Sequence, residues 1–233
     1  SRDDLQSTQN YLKAKAERKN VDVSNLNAEY ATNLSNFISE AEKEFGRKIQ
    51  INSAYRPPTG KEKEALGSVG STQAGLKKGK TVASTYGSMH GLGIASDILF
   101  AGWSKEDMNR MSATDKRRWL EIAQRNNLDL PMRPGGTAPG VTEWWHVEPK
   151  GEQRGGAKGR GLYGQDYVNY IKSASLDSAI KSGGTTTLAQ NQQTSTRKGR
   201  HEIVQTGDEN SGVTQASMFA PFERAIDKMS GIL

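Results

Sequence analysis

The chain has 233 residues, 33% of them hydrophobic, and carries a formal net charge of +6. This length fits one ordinary domain with extensions, and no stretch approaches the roughly 18 apolar residues that a membrane-spanning helix needs, so we expect no membrane span. The chain has no cysteine, which excludes a disulfide scaffold, a thiol nucleophile and every cysteine-based metal site.

The N-terminal half of the chain predicts two helices followed by a strand. Residues 3–19 are typical of a short polar helix, and residues 24–45 place apolar side chains at steps of three and four, as in an amphipathic helix. Residues 48–55 alternate as a strand does and end at a proline pair. Because the first residues lack an apolar core, we expect no signal peptide in this chain, which is then cytosolic, already processed or delivered by another route.

Two further strands and three helices are predicted downstream. Residues 94–100 and 142–148 favour strands, and Tyr167 begins a possible helix that extends to about residue 179. Ser104 and Thr114 are each suited to cap a helix, the second of which ends near residue 126 and buries Trp119. We therefore predict an α+β fold, in which helices pack on one side of a small antiparallel sheet.

Two of the three histidines lie in polar, glycine-rich surroundings. His90 precedes Asp97 in the segment SMHGLGIASD, and His146 follows Glu143 in EWWH. Two imidazoles and one carboxylate form a three-ligand zinc set that leaves a fourth position open, which is typical of catalytic sites. Glu143 is then placed to act as a general base.

These segments resemble a family of zinc-dependent D,D-carboxypeptidases and dipeptidases, with related phage endopeptidases, that cut the peptides of peptidoglycan. The family pattern SxHxxGxAxD followed by ExxH, preceded by an arginine in a YRP setting, is met over about residues 25–150 at Tyr55, Arg56, Pro57, Ser88, His90, Gly93, Ala95, Asp97, Glu143 and His146.

The resemblance implies a role for each of five residues. His90, Asp97 and His146 would bind zinc. From the fold, we predict the zinc in a cleft on the side of the sheet away from the helices. Glu143 would be the general base and acid. Arg56 would stabilise the tetrahedral intermediate or hold a substrate carbonyl, which suits a side chain that is always charged.

Strand geometry adds a condition to this assignment. In an unbroken strand, Glu143 and His146 would point to opposite faces, because the side-chain period is two, and so would His90 and Asp97. Glycines 91 and 93 can supply irregular backbone between the second pair. For the first pair we predict a bulge or a turn near Trp144.

Three residues are candidates for substrate binding: Ser88, Tyr55 and Trp145. Ser88 is equally suited to donate a hydrogen bond to substrate or to cap a turn. Tyr55 also fits a place in the core. For Trp144 and Trp145, one core position and one position in the cleft wall are favoured over a carbohydrate platform.

The remaining basic and histidine positions are interpreted as surface. His201 lies in a polar segment, and the lysine-rich loop at 77–80 is better explained as solvated surface than as a site for anionic wall polymer. No arginine-rich helix or RNA-binding signature accompanies the basic charge, so we expect no nucleic-acid partner.

The chain divides into three predicted parts. Residues 1–23 form a polar helical extension, residues 24–182 the zinc peptidase domain, and residues 183–233 a polar linker or tail with a short amphipathic helix at 221–232. Residues 183–215 are too polar to bury a core, so we expect them to be mobile in the isolated protein. Contacts that order them would come from the core domain or from another chain, and other subunits of an assembly are the simplest source.

These observations predict a zinc peptidase that hydrolyses stem peptides of peptidoglycan, as a D,D-carboxypeptidase or an endopeptidase. A phage-encoded wall hydrolase carried in the virion would explain both the tail and the expected absence of a signal peptide, and it would act at the bacterial cell wall or periplasm. The alternative is a structural or binding component of an assembly with an idle zinc site. Glu143 and Arg56 argue against that alternative, since a degenerate site would lose one of them first.

Overall fold

Eight α-helices and four β-strands lie in the part of the chain that the computed structural model describes, which is residues 1–77, 83–138 and 140–184. The helices are α1 Arg2–Lys15, α2 Ala28–Phe45, α3 Gly60–Ala65, α4 Lys105–Asn109, α5 Ala113–Arg125, α6 Gly156–Gly159, α7 Gly164–Ala174 and α8 Leu176–Lys181. The strands are β1 Ile49–Ser53, β2 Ser96–Phe100, β3 Leu128–Asp129 and β4 His146–Pro149. Short 3-10 helices occur at Ala74–Lys77 and Met89–Leu92.

The four strands form one antiparallel sheet in the order β1-β2-β4-β3. Ser53 of β1 pairs with Asp97 of β2, and Asp97 pairs with His146 of β4. The register shifts between Ile51 and Ser53. The predicted α+β fold with a small antiparallel sheet is confirmed, and β3 is an addition to it.

Helix α2 supplies much of the core beneath the sheet. It begins after Asn27, whose side chain accepts a hydrogen bond from the Tyr30 N–H, and it ends at Gly46 in the left-handed conformation (φ 62°). The Phe37 ring meets Trp119 of α5 edge-on, with centroids 4.9 Å apart. Trp119 in turn lies 5.2 Å from the ring of Phe100 in β2. Helices α2 and α5 therefore share one apolar layer with the sheet.

Several boundaries differ from the sequence prediction. Helix α1 ends at Lys15 instead of residue 19, α2 begins at Ala28 instead of residue 24, and β2 begins at Ser96 instead of residue 94. Helix α5 is capped by Ser112, not Thr114, because the Ser112 hydroxyl accepts from the Asp115 N–H. Strand β4 begins at His146, not at residue 142, because residues 144 and 145 form a turn. The helix predicted over 167–179 is two helices, α7 and α8, with Ser175 extended between them and capping the second.

The N-terminal segment packs directly on this core. Leu12 of α1 is fully buried, and Lys15 Nζ lies 2.5 Å from Glu42 Oε1. The same Glu42 oxygen accepts from the Ile49 N–H at 2.7 Å. After α1 the chain runs beside β1, and a parallel bridge joins Ala16 to Ile51.

Several predictions concern residues outside the described ranges. They are the lysine side chains of the 77–80 loop, His201, the tail from residue 185 and the helix at 221–232. Within the described ranges, no helix combines the length and apolar character that crossing a membrane requires.

Candidate metal centre

The sheet and the 3-10 helix Met89–Leu92 bring His90, Asp97 and His146 together. All three are buried, and each offers one ligand atom within 4.8 Å of those of the other two. Asp97 and His146 are fixed by their pairing across β2 and β4. His90 reaches them because the chain turns at Gly93, whose φ of 70° is left-handed and where a Cβ would lie only 2.5 Å from the Asn25 carbonyl oxygen. The two predicted histidines and the predicted aspartate therefore face a common point.

The tautomer of His90 leaves a ring nitrogen available. Its Nδ1 lies 2.7 Å from the Ala54 carbonyl oxygen and donates to it. Its Nε2 then carries a free lone pair, lies 3.5 Å from Asp97 Oδ1, and is a buried nitrogen without a hydrogen-bond partner among the described residues. Burial lowers the pKa of His90 to about 4, and the charge of Arg56 acts in the same direction. His90 is therefore a neutral imidazole.

The two oxygens of Asp97 have separate partners. Oδ1 faces the histidines and lies 3.1 Å from His146 Nδ1. Oδ2 faces the cations, 3.1 Å from Lys105 Nζ and 3.9 Å from Arg56 Nη1. Burial alone would raise the pKa of Asp97, but the imidazoles and Lys105 hold it well below its usual value. The carboxylate is ionised, and the cations keep Oδ1 directed at the histidines.

A second carboxylate holds the other side of His146. Glu148 Oε1 lies 2.7 Å from His146 Nε2, and its other oxygen accepts from Arg154. Burial alone would lower the pKa of His146, but hydrogen bonds with Asp97 and Glu148 raise it to about 9. The sequence prediction missed Glu148, although a residue two positions along a strand lies on the same face as His146. Such outer carboxylates orient ligand histidines in metal sites.

The predicted turn brings the side chain of Glu143 close to His146. The His146 N–H bonds to the Glu143 carbonyl at 3.4 Å around Trp144 and Trp145, and Glu143 Oε2 lies 4.0 Å from His146 Nδ1. Burial raises the pKa of Glu143, and the charge of Asp97 raises it further. Because its side chain is still 23% exposed, Glu143 is positioned between the metal centre and solvent.

Arg56 follows β1 and lies beside the ligand set. Its backbone N–H donates to the His90 carbonyl at 3.2 Å, and its Nη1 donates to Ser53 Oγ at 3.2 Å. Its side chain is 18% exposed. Arg56 and Glu143 therefore both lie next to the three possible ligands, Arg56 beside Asp97 and Glu143 beside His146.

The three predicted substrate-binding residues are all buried. The Tyr55 hydroxyl lies 2.7 Å from that of Tyr167, which donates to the Gly91 carbonyl, so this hydroxyl supports the loop that carries His90. Ser88 precedes the 3-10 helix without a side-chain capping bond. The Trp145 ring lies 5.0 Å from Lys105 Nζ, beside the metal centre.

The residues present fit a zinc ion. Imidazole nitrogen and carboxylate oxygen are ordinary zinc ligands, and three protein ligands leave one position open. The observation that favours a metal over a simple hydrogen-bonded cluster is His90 Nε2, since buried polar atoms in native proteins nearly always have a partner.

Comparison with known proteins gives matches only among solved structures, since no family model and no curated protein matches the sequence. A variant of the vancomycin-resistance D,D-pentapeptidase VanY, in complex with Zn(II), is 25% identical over 52% of this chain and 71% of its own, with a TM-score of 0.34. The LD-carboxypeptidase LdcB, described in connection with peptidoglycan recognition, is 20% identical over 66% and 67%, with a TM-score of 0.39. VanYB in complex with D-alanine-D-alanine is 20% identical over 65% and 80%, with a TM-score of 0.31.

A cleft opens beside the ligand set. It has a volume of about 370 Å³ and is lined by residues of the N-terminal segment, of β1 and of the start of α4 as well as by Asp97. A space of this size is in the usual range for small-ligand sites. A substrate could enter this cleft and reach Arg56 and Asp97, which both line it.

Proposed function

We propose that this chain is a zinc-dependent peptidase that hydrolyses amide bonds in the stem peptides of peptidoglycan. The observation that carries the proposal is the convergence of His90, Asp97 and His146, with a buried ring nitrogen of His90 that has no hydrogen-bond partner in the part of the chain that the structure describes. Glu143 and Arg56 lie next to this set, so every type of group that metal-assisted amide hydrolysis needs is present. The choice of peptidoglycan as substrate is supported by the sequence resemblance.

His90, Asp97 and His146 would hold the ion. Bound zinc would polarise the scissile carbonyl and lower the pKa of a water molecule to about 7. Glu148 and Lys105 then act on the ligands, since Glu148 fixes the ring of His146 and Lys105 holds the second oxygen of Asp97.

Glu143 would transfer the proton. Its pKa is raised by burial and by Asp97, which brings it nearer to neutral pH, where a carboxylate can both accept and return a proton. Glu143 takes the proton of the attacking water and then passes it to the nitrogen of the leaving amine. The partial exposure of its side chain lets it meet both groups.

Arg56 would stabilise the negative charge that develops on the carbonyl oxygen. Its guanidinium is held in place by Ser53 and by the charge of Asp97, so little reorganisation is needed when the charge appears. A planar group with several donors can contact this oxygen and a neighbouring carbonyl together.

The experiment incubates the full chain with zinc and purified peptidoglycan, with and without a chelator, and identifies the products by mass spectrometry. Released D-alanine would identify a carboxypeptidase, and new stem fragments an endopeptidase. No product at all would contradict the proposal and favour an idle site.

Two variants separate metal binding from catalysis. Glu143→Gln should keep near-stoichiometric zinc and lose hydrolysis by at least a hundredfold, whereas Asp97→Asn should lose the metal itself. Glu29→Gln, an exposed glutamate on α2, is the matched control and should behave as wild type. Equal zinc loss in the Glu143 and Asp97 variants would make Glu143 a ligand.

We also propose that the enzyme is phage-encoded, is carried in the virion, and contacts other subunits through residues 183–233. The resemblance to a family with phage endopeptidases and the polar composition of that segment support this assignment. Peptide mass spectrometry of purified particles tests it, and a chain absent from intact particles would refute it.

A further inference from the structure

The cleft beside the metal centre has a lining that combines apolar and hydroxyl side chains with three cations and two amides. We call it the cationic cleft and define it by Arg18, Asn20, Asn52, Arg56, Asp97 and Lys105. Three of these side chains are cations, and Asp97 is the single acid among the described residues that line the cleft. Because Asp97 contacts the histidines and Lys105, the rest of the cationic cleft, with Arg18 and Arg56, keeps an excess of positive charge.

Arg18 is the most exposed of the three cations. The segment after α1 is tied to β1 by the Glu17 N–H, which donates to the Ile51 carbonyl at 3.0 Å. Arg18 Nη2 then donates to Asn52 Oδ1 at 3.4 Å, and Arg56 Nη1 donates to Ser53 Oγ. Two guanidinium groups are therefore anchored on consecutive residues of β1, and of the two it is Arg56 that lies beside a possible ligand, Asp97.

The Arg18 guanidinium has donors to spare. Its side chain is 65% exposed, and its ion pair is with Glu17 at 3.5 Å, a residue outside the cleft lining. A guanidinium has five N–H donors in a planar fork. The long bond to Asn52 and the contact with Glu17 leave most of them available to a ligand.

We propose that the cationic cleft binds the carboxylate of an acidic residue in the peptide substrate, away from the scissile bond, and that Arg18 is its main contact. Planar guanidinium groups match carboxylates in a bidentate geometry, and the amides of Asn20 and Asn52 add neutral donors. This inference rests on the proposed peptidase function. It makes the segment at 16–23, which lies before the motif-bearing region, a specificity element of the site.

The experiment measures peptide binding without turnover. The full chain carrying Glu143→Gln is loaded with zinc and titrated with a synthetic stem peptide whose D-glutamate carboxylate is free, and with the same peptide amidated at that carboxylate. We expect the free acid to bind on the order of tenfold more tightly. Adding Arg18→Gln should abolish this preference, and Arg18→Glu should reverse it.

Lys19→Gln is the matched control, because Lys19 is an exposed neighbouring cation outside the lining of the cationic cleft. It should retain the preference for the free acid. Equal dissociation constants for the two peptides, or an unchanged preference in Arg18→Gln, would overturn the inference. Hydrolysis by the zinc-loaded wild-type chain is measured separately, so that loss of turnover with a preserved acid preference would refute the peptidase function alone.

Discussion

Replacing Glu148 by glutamine tests the metal centre through a residue that would not itself be a ligand. Glu148 Oε1 accepts from His146 Nε2 at 2.7 Å, and the residue is 2% exposed. This bond fixes the proton on Nε2 and turns Nδ1 towards Asp97 Oδ1, 3.1 Å away. Glutamine keeps the size of the side chain but removes its charge, so the ring loses basicity and orientation.

The expected loss in zinc affinity is about 10- to 100-fold, which corresponds to roughly 1.4–2.7 kcal/mol of binding free energy. Competition with a chelating dye measures the zinc dissociation constant of each protein, and denaturant unfolding without metal shows whether the fold survives. Hydrolysis should recover substantially when zinc is in excess, since Glu148 would act on the ligand and not on the substrate.

Glu152→Gln provides the matched control. Glu152 is also paired with an arginine, Arg160, but lies outside the ligand set. Its zinc affinity should equal that of wild type. A wild-type zinc dissociation constant for Glu148→Gln, or an equal loss in the Glu152 variant, would refute the orienting role of Glu148.

Three further predictions concern Arg56, Gly93 in the loop before β2, and Glu42, which pairs with Lys15 of α1. Arg56→Lys should lower turnover on the order of a hundredfold with zinc content unchanged, because lysine keeps the charge and loses the planar fork; a near-wild-type rate would contradict this. Gly93→Ala should destabilise the fold by about 1–3 kcal/mol in denaturant unfolding, because a Cβ there would lie 2.5 Å from a backbone carbonyl oxygen. Gly102→Ala, at a similar positive φ in open space, should cost less, and an equal cost would exclude the clash. Glu42→Gln should lower the unfolding free energy by about 1–3 kcal/mol at pH 7, because burial raises the pKa of Glu42 but its bonds with Lys15 and the Ile49 N–H hold that pKa below the usual value. This stabilisation is present above the unfolded pKa and is lost as the pH falls through the lowered pKa, so a difference from wild type that stays constant down to pH 3 would refute it.

The possible metal ligands and Glu143 could be predicted because they lie in short sequence motifs. His90 and Asp97 lie within one ten-residue segment, and the period of a strand alone required a turn between Glu143 and His146. The structure contains that turn at Trp144. The strand period also places Glu148 on the same face as His146. A charged residue on a strand, however, does not identify the side chain that it contacts.

The cap of α5, strand β3 and the course of residues 16–23 could not be predicted from the sequence. They depend on contacts between distant residues, or on a choice between two residues that suit the same position. Ser112 and Thr114 both suit a helix cap, and Asp115, three residues after Ser112, decides in favour of the serine. The two residues of β3 are too few to show any period. The course of residues 16–23 along β1 is set by tertiary packing, so no local pattern places Arg18 beside the site.

The pairing between β2 and β4 has a mechanical consequence. These strands are joined at two positions, Ser96 with Val147 and Asp97 with His146, so the seam between them is short. An ion bound by Asp97 of β2 and His146 of β4 would link the two strands. Any ligand that binds only the folded state also raises the free energy of unfolding, by about 2.7 kcal/mol when its concentration is a hundred times its dissociation constant. Chelation should therefore loosen the sheet at this seam first, and amide hydrogen exchange at Val147 should accelerate before exchange in β1 does.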